Sequence, residues 1–144
     1  NLSATNLQAT VITATSLSNA SVSNIVGSGI TFVMDGAGSV LTTGTVKGFV
    51  LVPYSATVTN LYMIGDQTGS VAIDIWKATY SATNLPTDGN SIFGSYVFSL
   101  NNVQAFSLAS GFTGSVLASD VLRVNIDAVA TITNLTLCMA LKKV

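Results

Sequence analysis

An aliphatic residue returns every five positions across the first 25 residues, at Leu2, Leu7, Ile12, Leu17 and Val22. Two residues before each of the later four stands a small residue: Thr5, Thr10, Thr15 and Ala20. A helix repeats its faces every 3.6 residues and a strand every two, so neither produces a period of five. Self-similarity at a fixed period marks a stacked or wound architecture, in which one turn cannot bury its apolar row alone. Five units are few for a free-standing solenoid. The row is therefore expected to be shared between chains, with Leu2, Leu7, Ile12, Leu17 and Val22 as subunit-contact residues. The stretch Ser23–Gly29 reads as the joint to the larger remainder of the chain, giving a division into residues 1–28 and 29–144.

Composition makes the same demand on the rest of the chain. Charged residues are 8% of the 144 and apolar residues 49%, against roughly 25% charged in an ordinary soluble domain. So few charges cannot coat the surface of a free monomer, and the apolar excess has to be covered by a membrane or by other subunits. Ser, Thr and Asn interrupt every apolar run before it reaches the ~20 residues needed to cross a bilayer. No basic leader precedes a short apolar segment. Membrane insertion is therefore not expected, and an obligate oligomer is. A net charge of −1 provides no basic field for phosphates, so nucleic acid is not an expected partner. The chain opens on Asn1 rather than Met, as a processed piece of something longer would.

From Gly29 onward the signals are those of strands and turns. Ile30–Met34 is an apolar run stopped by Asp35-Gly36-Ala37-Gly38, and Lys47–Val52 is one ended by Pro53. Val58–Ile64 and Ser70–Lys77 flank Gly65–Gly69, which reads as a hairpin loop. Further runs are Ser91–Leu100, Gln104–Leu108, Val121–Ile126 and Thr131–Leu141. About eight strands at this spacing predict an all-β chain, with the short repeat segment followed by an antiparallel β-sandwich of jelly-roll type. Alternation assigns Val71, Ile73 and Ile75 to one face of their strand, and Ala72, Asp74 and Trp76 to the other. In Val58–Ile64 it groups Val58 with Tyr62 and Ile64, and Leu61 with Met63. Both faces of these strands are largely apolar, whereas a solvated face should be polar. Leu61, Met63 and Trp76 are accordingly expected at subunit contacts.

The inventory for chemistry is thin. The chain has no His, which removes Ser–His and Cys–His nucleophile pairs and His-containing zinc sites. Its six acids are all Asp, and four of them (Asp35, Asp66, Asp88 and Asp120) stand in or beside turns, where local hydrogen bonding explains them. No calcium-loop spacing is present, so neither catalytic residues, nor a metal, nor a cofactor is expected. The single thiol, Cys138, lies in an apolar run and reads as a small buried hydrophobe. What remains is a sugar site: rings that stack on apolar sugar faces beside amides and carboxylates that take hydroxyls. Tyr80 and Tyr96, with Asn84, Asp88 and Asn90 in the polar loop between them, are the candidates.

Three ordered segments resemble a known family. Ile30-Thr31-Phe32-Val33-Met34-Asp35-Gly36-Ala37-Gly38, with Leu41-Thr42-Thr43-Gly44 and Lys47-Gly48, is similar to the opening of the β-sandwich domains that end many tailed-bacteriophage fibre and virion proteins. Val71-Ala72-Ile73-Asp74-Ile75-Trp76-Lys77 resembles their Val-Asp-Ile-Trp-Lys strand. Ala118-Ser119-Asp120-Val121-Leu122-Arg123-Val124-Asn125-Ile126-Asp127 resembles their Ala-Gly-Asp-x-Leu-Arg-x-Asn-Val-Asp run, with Ser119 in place of the usual Gly. The resemblance covers residues 29–144. It implies a homotrimeric structural or host-recognition knob on the phage particle, with the pentads, which resemble both pentapeptide-repeat solenoids and viral fibre shafts, docking it to other virion proteins. A tail-fibre tip that attaches to a bacterial surface glycan is the first expectation. A capsid decoration protein is the second, and a glycan-degrading tailspike domain is the least favoured. The resemblance transfers no catalytic residue.

Overall fold

The structure, a computed structural model, describes residues 27–144 apart from Lys47 and Ala82. The pentad row from Leu2 to Val22 lies outside the described residues. Those residues form an all-β fold: β1 (Gly27–Asp35), β2 (Gly44–Thr45), β3 (Val50–Leu51), β4 (Ala56–Thr79), β5 (Phe98–Leu108), β6 (Ser115–Val116), β7 (Asp120–Ala130) and β8 (Asn134–Lys143). One 3-10 turn, Asp88–Asn90, interrupts the connection from β4 to β5. All pairings are antiparallel, in the order β1–β8–β4–β7–β2, with β5 and β6 also on β4 and β3 also on β7.

β4 organises this sheet. Its first part pairs with β8, from Ala56↔Lys143 to Gly65↔Leu135, and its last part with β7, from Ser70↔Ala130 to Thr79↔Asp120. Since β7 and β8 are consecutive, they run along one edge of β4 as a second, interrupted strand. β5 runs along the other edge and spans the same interruption, pairing Ile64 with Ala105 and Gly69 with Val103. Gly65–Thr68 is therefore not the loop of a hairpin but a bend inside a 24-residue strand.

Close approach explains the glycines that signal a turn. A Cβ on Gly65 would lie 2.8 Å from Ile132 Cδ1, and one on Gly69 would lie 2.9 Å from the Ala130 carbonyl oxygen and collide with the Thr131 hydroxyl. Their absence lets the β7–β8 corner nest into the bend. Thr131 at that corner has a φ of 70°, a left-handed conformation unusual for a β-branched residue. Polar contacts hold it there. The Thr133 backbone N–H donates to Asp66 Oδ1 (3.1 Å), and its hydroxyl donates to Asp66 Oδ2. The Thr131 hydroxyl donates to the Thr68 carbonyl (3.3 Å), and the Gln67 amide donates to the Thr131 carbonyl.

At the opposite end the sheet curls until the two ends of β4 meet. β6 pairs with Ala56 and Thr57 at the start of β4, and Lys77 near its end donates to the Ser115 carbonyl of β6 at 2.9 Å. The same ammonium lies 3.7 Å from Asp120. Side chains from both parts of β4 enter a single core, among them Leu61, Met63, Ile73 and Ile75, joined by Phe98, Leu100, Leu122, Leu135, Leu137 and Met139. Each of these is less than 2% exposed. Burial of side chains this size stabilises a fold by about 1.5–3 kcal/mol apiece.

Several expectations are corrected here. Leu61 and Met63 are filled around by their own chain and present nothing to a second subunit. A bulge between Val58 and Asn60 shifts the alternation by one residue, so Val58 faces inward with Leu61 and Met63, while Tyr62 and Ile64 face out. The grouping of Val71, Ile73 and Ile75 on one face holds, and that face is the inner one. The expected strand at Lys47–Val52 is reduced to β3. Ser91–Val97 is loop rather than strand, and β5 runs unbroken from Phe98 through Gln104 to Leu108. Cys138 lies opposite Tyr62 on the outer face and is half-buried, not a core residue.

Candidate functional site

The candidate sugar-binding residues all fall on the connection between β4 and β5, at one end of the molecule. Tyr80 follows the last residue of β4, where its backbone N–H donates to the Ser119 carbonyl at 2.9 Å. Its ring is 68% exposed. Asn84 and Asp88 are also exposed. Asn90 is exposed but already occupied: its side-chain oxygen accepts from the Thr87 backbone N–H (3.1 Å) and hydroxyl (3.0 Å). Asn90 thereby closes the 3-10 turn instead of holding a free amide oxygen outward. Tyr96 is 43% exposed, and its ring lies over Gly111, at ordinary van der Waals distance (3.7–3.9 Å) from where a Cβ there would sit. Tyrosines thus stand near both ends of one connection, with Asn84 and Asp88 exposed between them.

The second part of the loop is laid against the sheet. Ser91 bridges to Trp76, the Ile92 N–H donates to the Ile75 carbonyl (2.9 Å), and Ile92 and Phe93 enter the core. The Ser91 hydroxyl donates to Asp74 Oδ1 (2.6 Å), while the Trp76 indole N–H donates to Asp74 Oδ2 (2.8 Å). Trp76, on the outer face of β4, is only 8% exposed. Its indole is covered and satisfied within its own chain, which removes it from the expected subunit contacts. No feature of the sequence around Ser91 announces this role, because the partner is 17 residues away.

The carboxylates are mostly engaged in structure. Asp35 accepts from the Ala37 N–H (2.7 Å), Asp120 from the Leu117 N–H (2.8 Å), and Asp127 from the Asn125 amide (2.6 Å). Hydrogen bonds from Thr133, its hydroxyl foremost, hold the Asp66 carboxyl below its ordinary value. No group of three or more His, Cys, Asp or Glu side chains converges among the described residues.

Two of the grooves among the described residues lie elsewhere. One of about 520 Å³ lies between the end of β1 and the segment 36–44, lined by Val33, Asp35, Ser39, Thr42 and Ile126 among others. The other, about 320 Å³, lies on the outer face over Ala72, between Val97 and Val129. Tyr80, Asn84, Asp88, Asn90 and Tyr96 line neither. Apolar side chains that remain exposed include Val33, Tyr62 and Ile64 on the outer face of β1 and β4, the last 53% exposed.

No protein-family model matches the chain, and no curated protein matches it either.

Proposed function

We propose that the chain is a structural protein of a tailed-bacteriophage particle, a homotrimeric receptor-binding knob at a fibre tip, held to other virion proteins by its pentad segment. One observation carries this reading. The two segments most similar to phage knob domains, 71–77 and 118–127, are paired strands, with Trp76 opposite Arg123 and Lys77 opposite Leu122. Their distinctive polar residues serve each other: Lys77 reaches Asp120, and Asp74 holds the indole of Trp76. Ser119, which stands where the resemblance has Gly, has a φ of 71°, a conformation that favours Gly. The similar residues are thus the ones this fold needs at those places. The curled sheet around one core is read, on the same basis, as a jelly-roll-like sandwich.

Attachment to a surface glycan through Tyr80, Asp88 and Tyr96 follows from their exposure on one loop. The test is adsorption of the purified full chain to host cells. Tyr80→Ala and Tyr96→Ala should each weaken adsorption severalfold while leaving the melting temperature unchanged. Undiminished adsorption by both variants would remove the loop from the reading.

Capsid decoration is the second reading, favoured by the engagement of Asn90 within its own turn. The same chain would then bind phage heads and not cells.

A further inference from the structure

We infer that the knobs join edge to edge, with β1 of one copy pairing antiparallel to residues Val103–Leu108 of β5 in the next. β1, β8, β4 and β5 form four successive antiparallel strands. β1 and β5 close the two sides of this unit, and no backbone hydrogen bond among the described residues reaches the outer edge of either. Open edges are a hazard that proteins blunt with lysine, proline or very short strands. Neither strand contains Lys, Arg or Pro, and the one charge is Asp35 at the end of β1. A bulge displaces Asn101 and Asn102 near the middle of β5, and beyond it Val103–Leu108 is exposed almost throughout. Phe106 is directly opposite the buried Met63 and so has the inward phase, yet it is 40% exposed. A further strand on this edge would cover its ring.

In a ring about an axis running along the strands, β1 is that further strand. Rotation about an axis running along the strands preserves their direction, so the β5 edge of one copy meets the β1 edge of the next running the opposite way. The antiparallel alternation of the sheet then continues across the join. The two edges differ from each other, so the contact is head-to-tail and closes into a ring when the rotation allows. The rotation and the number of copies rest on the trimer proposed above.

Amide exchange of the full chain, read on peptides covering 27–35 and 98–108 alongside light scattering, tests the pairing. In an antiparallel pair alternate N–H groups point to each neighbour, so an open edge leaves every second amide unprotected. The expected result is a trimer in which these amides of both strands exchange at least about tenfold more slowly than open edges do. Ala105→Lys, at an exposed outward position, should release single chains and speed exchange in both strands together, with β4 still protected. If β4 loses protection in that variant, Ser107→Lys replaces it. A trimer with fast-exchanging edges would overturn the pairing and keep the trimer. An assembly of another size with both edges slow would keep the pairing and overturn the trimer. Single chains from the unsubstituted protein would overturn both. Slow β1 amides in the lysine variant's single chains would assign that edge to residues 1–26 of the same chain, and overturn the pairing.

Discussion

Ser119 shows how a single residue reports on the fold around it. Its left-handed backbone sits between two hydrogen bonds, its N–H donating to the Val52 carbonyl and its carbonyl accepting from Tyr80 (2.8 and 2.9 Å). The conformation is therefore imposed by the corner. Left-handed backbone costs a non-glycine residue roughly 1–2 kcal/mol, partly offset by the chain entropy a glycine would lose. Ser119→Gly should stabilise the fold by about 0.5 kcal/mol in denaturant unfolding, where glycine at an ordinary position would destabilise it. Asp66 acts through charge. Its carboxyl is held below its ordinary value by Thr133, so the charged form belongs to the folded state. Its stabilising effect is fully present above the unfolded value of about 3.9, and drains away as the pH falls through the lowered folded value. Asp66→Asn should flatten the acid limb of a melting-temperature profile, and an unchanged limb would place the acid sensitivity elsewhere. Turn chemistry made Asp35 legible as a turn residue. The hold of Asp74 on both Trp76 and Ser91 was not legible, because it joins a strand to a distant loop.

Strand existence was largely legible and strand continuity was not. Apolar runs bounded by turn residues found β1, β7 and β8, and alternation grouped Val71, Ile73 and Ile75 correctly, because each is a regular pleat with one side in the core. It failed at Thr59, where one extra residue reverses every later assignment in that run. At Gly65–Gly69 it failed for a different reason: a glycine needed for close packing has the same letter as one needed for a turn. Gly69→Ala should cost about 1–3 kcal/mol through overpacking against Thr131 and Ala130. Gly89→Ala, where a Cβ meets nothing within 4 Å, serves as its neutral control in the same unfolding assay. The corrected phase makes a second contrast. Leu61→Ala should cost about 2–5 kcal/mol by leaving a core cavity, whereas Ile64→Ser should change the stability of the chain by less than about 0.5 kcal/mol. Equal effects at the two positions would contradict the bulge.

Over the whole molecule, the shortage of charge read from the sequence acquires a location. The core absorbs Leu61 and Met63, and the loop before β5 covers Trp76, so these three of the residues expected at subunit contacts are consumed inside one chain. Large apolar residues still exposed among the described residues include Val33 on β1, Tyr62 and Ile64 on β4, and Val103 and Phe106 on β5. Val33, Tyr62 and Ile64 face outward, while Phe106 lies along the open edge of β5 with the inward phase. A free chain would carry that surface into water with only 8% charged residues to keep it dispersed, which is why assembly is the central claim. The most direct test is light scattering of the purified full chain after size exclusion, across a range of concentrations. The account predicts a particle of three times the 14.8 kDa chain mass that persists on dilution. A soluble, stable single chain of 14.8 kDa at every concentration would contradict it.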